Sequence, residues 1–147
     1  MQYDVKIKKL RDNAIIPTYG SEFAAGADLY ACLDEAVIIE AGETKLIPTG
    51  IALSIPVGFA GLIYARSGLA SKRGLAPANK VGVVDADYRG EVMVALHNHS
   101  KAAQTVDVGE RVAQMVIAPY IAANFILSDE RDDTVRGEGG FGSTGRK

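Results

Sequence analysis

The apolar residues of this chain come in short runs, rich in valine and isoleucine, interrupted every few positions by Gly, Pro, Asn or Asp. A helix that buries one face needs apolar positions recurring at 3.6-residue spacing for at least three turns, and no window sustains that. Runs of this length and composition, separated by turn residues, specify strands. They are Ala36–Ile39 and Thr44–Ile47 around an Ala41-Gly42 turn, Ile51–Ile55 ending at Pro56, Gly61–Tyr64, Lys80–Val84, Glu91–Leu96, Arg111–Ile117 and Asn124–Leu127. The pattern predicts an all-β barrel or jelly roll. One short helix is expected over Gly68–Arg73, stopped by Gly74. A length of 147 residues fits one domain, and 48% hydrophobic residues suffice for a core. No internal repeat and no linker interrupts it.

Two segments depart from a plain half-buried pattern. Val92, Val94 and Leu96 share one face of their strand, yet Met93 and Ala95 make the other face apolar too. Such a strand needs a second cover, which is either a neighbouring subunit or the far layer of a sandwich. From Asp129 onward the chain is charged and then glycine-rich, ending Arg136-Gly137-Glu138-Gly139-Gly140-Phe141-Gly142-Ser143-Thr144-Gly145-Arg146-Lys147. No core can form there, so residues 1–128 are expected to fold and 129–147 to be a mobile tail. Phe141 with Arg136, Ser143 and Thr144 nonetheless offers the ring, guanidinium and hydroxyls that a flap closing over a nucleotide needs.

Composition removes several function classes. A formal charge of -2 disfavours non-specific binding to nucleic acid through a basic surface. No stretch is long and apolar enough for a membrane-spanning helix. The N-terminal MQYDVKIKKLRD lacks the apolar segment of a secretory signal. Cys32 is the single cysteine, which rules out an intrachain disulfide and suits a reducing cytosol.

Several local patterns carry chemistry. Arg66-Ser67-Gly68 precedes the expected helix, where a hydroxyl, free backbone N–H groups and a guanidinium fork would hold a phosphate; a Ser N-cap beside a surface arginine is the bland alternative. Val83-Val84-Asp85-Ala86-Asp87-Tyr88 puts two carboxylates and an aromatic at a strand end. Two residues apart in extended chain they point the same way, so one could serve as a general base and the other orient it. The residues alone do not choose between Asp85 and Asp87, and a simple β-turn also accounts for them. Arg89 and Glu91 read as an ion pair. His97-Asn98-His99 places both imidazoles on one side, but without a third ligand they are expected at a surface or interface. Gly137–Gly142 matches a dinucleotide-binding glycine pattern by accident, since no helix can follow so near the chain end.

Taken in order, these segments resemble the homotrimeric dUTP diphosphatases, the dUTPases, over nearly the whole chain. Five motifs carry the resemblance: Ala25-Gly26-Ala27-Asp28-Leu29-Tyr30-Ala31, Arg66-Ser67-Gly68-Leu69-Ala70, Gly82 to Glu91, Gly109-Glu110-Arg111-Val112-Ala113-Gln114-Met115, and the tail from Arg136 to Gly145. Ala65 departs from the proline more usual before the arginine. The resemblance implies a distorted jelly-roll, β-clip-like subunit with one short helix, assembled as a homotrimer whose active sites are shared between chains. It implies cytoplasmic hydrolysis of dUTP to dUMP and diphosphate with Mg2+, and no nucleic-acid or membrane partner.

Residue roles follow from the same resemblance. Asp85 is implied as the general base and Tyr88 as the ring against the deoxyribose. Asn79 and the backbone of Val83, Val84 and Asp85 would read uracil, with Met93 beside them. Arg66, Ser67, Gly68 and Gln114 would bind phosphate. Arg136, Gly142, Ser143 and Thr144 would close on the triphosphate while Phe141 stacks on the base. Asp28 would contact Mg2+ through water, the triphosphate supplying the direct ligands. A dCTP deaminase-type relative and a trimeric nucleotide-binding module without turnover are the alternatives, against which stand the complete tail motif and the joint presence of Asp85, Arg66, Ser67, Gln114 and Arg136.

Overall fold

The computed structural model describes residues 2–145; Met1 and the last two tail residues, Arg146 and Lys147, lie outside the described residues. Two open antiparallel sheets and a small strand pair form the jelly roll. The first sheet orders β1 (Lys6–Lys9), β5 (Thr44–Ser54), β9 (Glu91–Asn98) and β7 (Leu75–Pro77). The second orders β2 (Thr18–Tyr19), β3 (Ala27–Tyr30), β11 (Arg111–Pro119), β6 (Phe59–Tyr64) and β8 (Gly82–Val84). β10 (Gln104–Val106) pairs with β4 (Val37–Ile39). The helix α1 covers Ser67–Arg73 and ends on Gly74, whose φ of 67° provides the left-handed cap.

One core joins the layers, with Leu29, Ile39, Ile47, Ile51, Ile63, Leu75, Val94, Leu96, Val106 and Val112 among its members. In β9 the alternation is strict. Val92, Val94, Leu96 and Asn98 are buried, while Glu91, Met93, Ala95 and His97 are half-exposed. Asn98 is the polar member of the buried set, and every part of its amide is used. Its Nδ2 donates to the carbonyls of Ile39 (2.9 Å) and Ala102 (2.8 Å), and its Oδ1 accepts from the backbone N–H of Ser100 (2.9 Å). Burial without that full set of partners would be costly.

Two expectations are corrected. The runs Thr44–Ile47 and Ile51–Ile55 are one strand, β5, which bends at an irregularity between Pro48 and Ala52. Asn124–Leu127 is no strand: the segment pairs with none of the described residues, and Phe125 and Leu127 stay 95% and 98% exposed. The strands β1, β2, β3, β7 and β10, of two to four residues, are too short for periodicity to reveal them. No helix among the described residues is long and apolar enough to cross a membrane.

Gly50 sits at the β5 irregularity with φ 68°, its N–H donating to Glu91 Oε1 (3.1 Å). A β-carbon there would lie 2.6 Å from Cys32 Sγ and 2.8 Å from the Ala14 methyl. Gly50→Ala therefore combines left-handed strain with overpacking and should cost about 2 kcal/mol or more, read as a lower midpoint of thermal or urea unfolding.

Candidate active site

β6 is the strand on which the candidate residues are arranged. It pairs with β11 on one side and β8 on the other, with Gly61 opposite Val84 and Tyr64 opposite Gln114. Two clusters result.

The first is a slot of about 220 Å³ lined by Ile63, Asn79, Gly82, Val83, Val84, Asp85, Tyr88, Glu91, Val92 and Met93. The turn before β8 is tight: Lys80 has φ 64°, and Val81 N–H donates to Asn79 O at 2.6 Å. The chain then turns again at the far end, where Tyr88 N–H donates to Asp85 O (3.1 Å). That second turn corrects the expectation of two parallel carboxylates. Asp85 and Asp87 are not in extended chain, so strand alternation does not align them. Asp85 lines the slot, whereas Asp87 lines only a neighbouring groove with Val57, Ala86, Arg89 and Tyr120. The Arg89–Glu91 ion pair does not form either. Arg89 Nη1 donates to the carbonyls of Ala86 (2.6 Å) and Tyr88 (3.1 Å), bracing the turn, and Glu91 accepts from Gly50.

The second cluster is built on a carboxylate. Asp28, buried on β3, accepts from Arg66 Nε at 2.8 Å on one oxygen and from Arg111 Nη1 at 3.3 Å on the other. One negative charge faces two guanidiniums, so the cluster keeps a positive excess suited to a phosphate. Gln114 Nε2 donates to Ala65 O (2.9 Å), which ties β11 to the loop carrying Arg66. Gly26 leaves room for that amide, since a β-carbon there would lie 3.0 Å from Gln114 Cδ. Arg66 is itself the residue capping α1, with no side-chain cap bond. Ser67 lies in the first turn with its hydroxyl exposed, and Gly68 beside it is exposed too. The Ser N-cap alternative is thereby removed. Arg111 carried no assigned role in the sequence reading. Its place in the fourth motif was the available signal, and only the fold brings it to Asp28.

The two clusters do not meet within one chain. Asp85 follows Val84 of β8, which lies opposite Gly61 near the start of β6, and Arg66 follows the end of β6, a strand of six residues that spans about 20 Å. Among the described residues the tail joins neither cluster. Arg136 Nε donates to Gly139 O (2.7 Å), Phe141 has φ 49° and is fully exposed, and Gly142, Ser143 and Thr144 continue an exposed turn. The accidental glycine pattern has neither strand nor helix beside it.

The histidines lie side by side. The rings of His97 and His99 are 4.4 Å apart edge to face, and Thr44 Oγ1 shares a hydrogen bond with His97 Nδ1 (2.7 Å). Among the described residues no three His, Cys, Asp or Glu side chains converge on a metal-sized site.

The comparisons with known proteins fit this geometry. A dUTPase family model matches residues 12–145. The deoxyuridine 5'-triphosphate nucleotidohydrolase of Hahella chejuensis is 48% identical over 141 residues, covering 95% of this chain and 93% of that protein. That of Desulfitobacterium hafniense is 49% identical over 144 residues, covering 96% and 95%. A variant of the Staphylococcus bacteriophage 80alpha dUTPase, solved with dUpNHpp, superposes with a TM-score of 0.90 at 28% identity, covering 98% of this chain and 99% of that one. A variant dUTPase from phage phi11 of S. aureus, solved with a structural Mg(II) ion, superposes with a TM-score of 0.80 at 25% identity, covering 89% and 100%. Fold, slot and relatives define a nucleotide hydrolase of jelly-roll architecture. The chain belongs to the dUTPase family.

Burial, the neighbouring His97 and Lys80 all push the His99 imidazole below its ordinary value, burial most strongly. With the folded form holding its proton less tightly than the unfolded form, stability is full above about pH 6.5 and declines as pH falls below it. Comparing melting temperatures of wild type and His99→Gln at pH 7.5 and pH 5 should show the smaller acid loss in the variant.

Proposed function

We propose that this chain hydrolyses dUTP to dUMP and diphosphate, with Asp85 as the general base. One observation carries the reading: Asn79, Val83, Val84, Asp85, Tyr88 and Met93, distant in sequence, line a single slot. A hairpin that tight presents backbone N–H and C=O groups to the edge of a base and leaves no space for a 5-methyl group. Exclusion of that kind discriminates better than an added contact does. Tyr88 would pack on the deoxyribose. Asp85, at the border of slot and groove, takes a proton from water; the water oxygen bonds to the α-phosphorus, the bond from that phosphorus to the bridging oxygen breaks, and diphosphate leaves.

Arg66, Ser67, Gly68 and Gln114 would hold the phosphates, and the cationic excess around Asp28 supports that role. Mg2+ characteristically retains waters and is held by one or two carboxylates plus substrate phosphates rather than by a protein cage. The donor set here fits that habit. Asp28, with a carboxylate's roughly four acceptor positions and two guanidiniums upon them, can still accept from a metal-bound water. When bound, the ion neutralises charge on the triphosphate and fixes its shape for in-line attack. Arg136, Gly142, Ser143 and Thr144 would grip the triphosphate from the tail, residues 129–147, while Phe141 stacks on uracil.

The assembly is a homotrimer with shared active sites, a reading supported by the placement of Asp85 and Arg66 toward opposite ends of β6. The half-exposed Met93–Ala95 face of β9 and the uncovered Ile121, Phe125, Ile126 and Leu127 support it. The reducing cytosol, to which the free Cys32 is suited, is the proposed compartment.

Diphosphate release measured with dUTP, dTTP, dCTP and UTP, with and without Mg2+, tests chemistry and selectivity together, and ammonia release from dCTP would redirect the assignment to a deaminase. Asp85→Asn should lose about 10²–10⁴-fold in turnover while melting as wild type does; near-normal turnover would remove Asp85 from the mechanism. Sedimentation equilibrium should return three times the chain mass, and a monomer that turns over dUTP would refute the shared site.

A further inference from the structure

Gly90 lies between Tyr88 and β9, exposed, with a backbone outside the left-handed region, so its conformation does not require glycine. Its neighbour does. A β-carbon at Gly90 would stand 2.5 Å from Tyr88 Oη, 2.7 Å from Cζ and 3.0 Å from Cε2, inside the ring's contact surface. The ring is folded back over this bare backbone and held there, its Oη donating to Glu91 O at 2.8 Å. The turn beneath is pinned by the Tyr88-to-Asp85 backbone bond and by the two Arg89 bonds described above. On the far side Glu91 is fixed by its pairing with Ala52 and its bond from Gly50. Of all the parts in contact at Gly90, the ring is the one left to give way.

We propose that Gly90 is a specificity-determining residue for the sugar: by presenting no side chain, it lets the Tyr88 ring lie against the hairpin at the depth that excludes a 2′-hydroxyl. The proposal rests on the placement of Tyr88 at the deoxyribose given under Proposed function. A methyl group at position 90 swings the ring outward, breaks its bond to Glu91 O and opens the sugar end of the slot. The base end is assigned to Asn79 and the Val83–Asp85 backbone, whereas the three atoms nearest a β-carbon at Gly90 all belong to Tyr88, so selection against a 5-methyl group stays.

The test is kcat/KM by diphosphate release for dUTP, UTP and dTTP in wild type, Gly90→Ala, Tyr88→Ala and the double variant, with melting curves for each. Gly90→Ala should lower the preference for dUTP over UTP about tenfold or more and keep that for dUTP over dTTP within about threefold. It should add nothing further when Tyr88 is already alanine. Unchanged discrimination against UTP, an equal loss of both preferences, or full additivity would overturn the proposal. A Gly90→Ala chain that does not fold would also overturn it, because the ring and not the turn must yield. A Tyr88→Ala variant that keeps the full preference for dUTP would instead remove Tyr88 from the sugar, a failure of the underlying reading visible without any change at Gly90.

Discussion

The antiparallel pairing of β6 with two neighbours is the constraint from which the chemistry of this chain is arranged. On one side the register with β8 sets Val84 opposite Gly61 and projects Asp85 from one end of the strand. On the other side the register with β11 sets Gln114 opposite Tyr64, beside the loop that carries Arg66. Hydrogen-bond ladders fix such registers to the residue, because a slip by one would turn every buried side chain outward. The same rigidity holds carboxylate and arginine a strand's length apart. In the proposed assembly a single subunit carries two half-sites, and another copy of the chain supplies what each lacks.

Asp28 organises the proposed phosphate half-site. A buried carboxylate is tolerated when its charge is compensated and its oxygens are bonded, and here each oxygen carries one guanidinium. The pairing positions Arg66 while leaving the cluster net cationic. Neutralising that carboxylate would release both arginines, so Asp28 matters to the arrangement whether or not a metal-bound water also reaches it.

Much of the architecture was legible in the sequence, and what was not has identifiable causes. Strands long enough to alternate and rich in apolar residues, such as β6, β9 and β11, announce themselves through burial on at least one face. The short strands β2, β7 and β10 do not, since two or three residues establish no period and their pairing is chosen by neighbours far along the chain. The Asn124–Leu127 run reads as a strand because it is apolar, but strand formation needs a partner, and the described residues offer it none. Asp85 and Asp87 looked equivalent because alternation assumes extended backbone, and a turn closed by Tyr88 N–H ends that assumption at Asp85. Proximity in sequence likewise suggested the Arg89–Glu91 pair, whereas Glu91 was claimed from 41 positions away by the N–H of Gly50.

By itself the sequence determined the all-β class, the helix with its glycine stop, the family, and which residue types carry chemistry, because each of these is written in local composition, spacing and motif. Tertiary structure alone decided which carboxylate borders the slot, that Arg111 shares Asp28 with Arg66, that the glycine at position 90 faces an aromatic ring, and that the two half-sites stand apart. Those are relations between residues brought together by strand register and turn geometry, and no window of sequence contains the distances that set them.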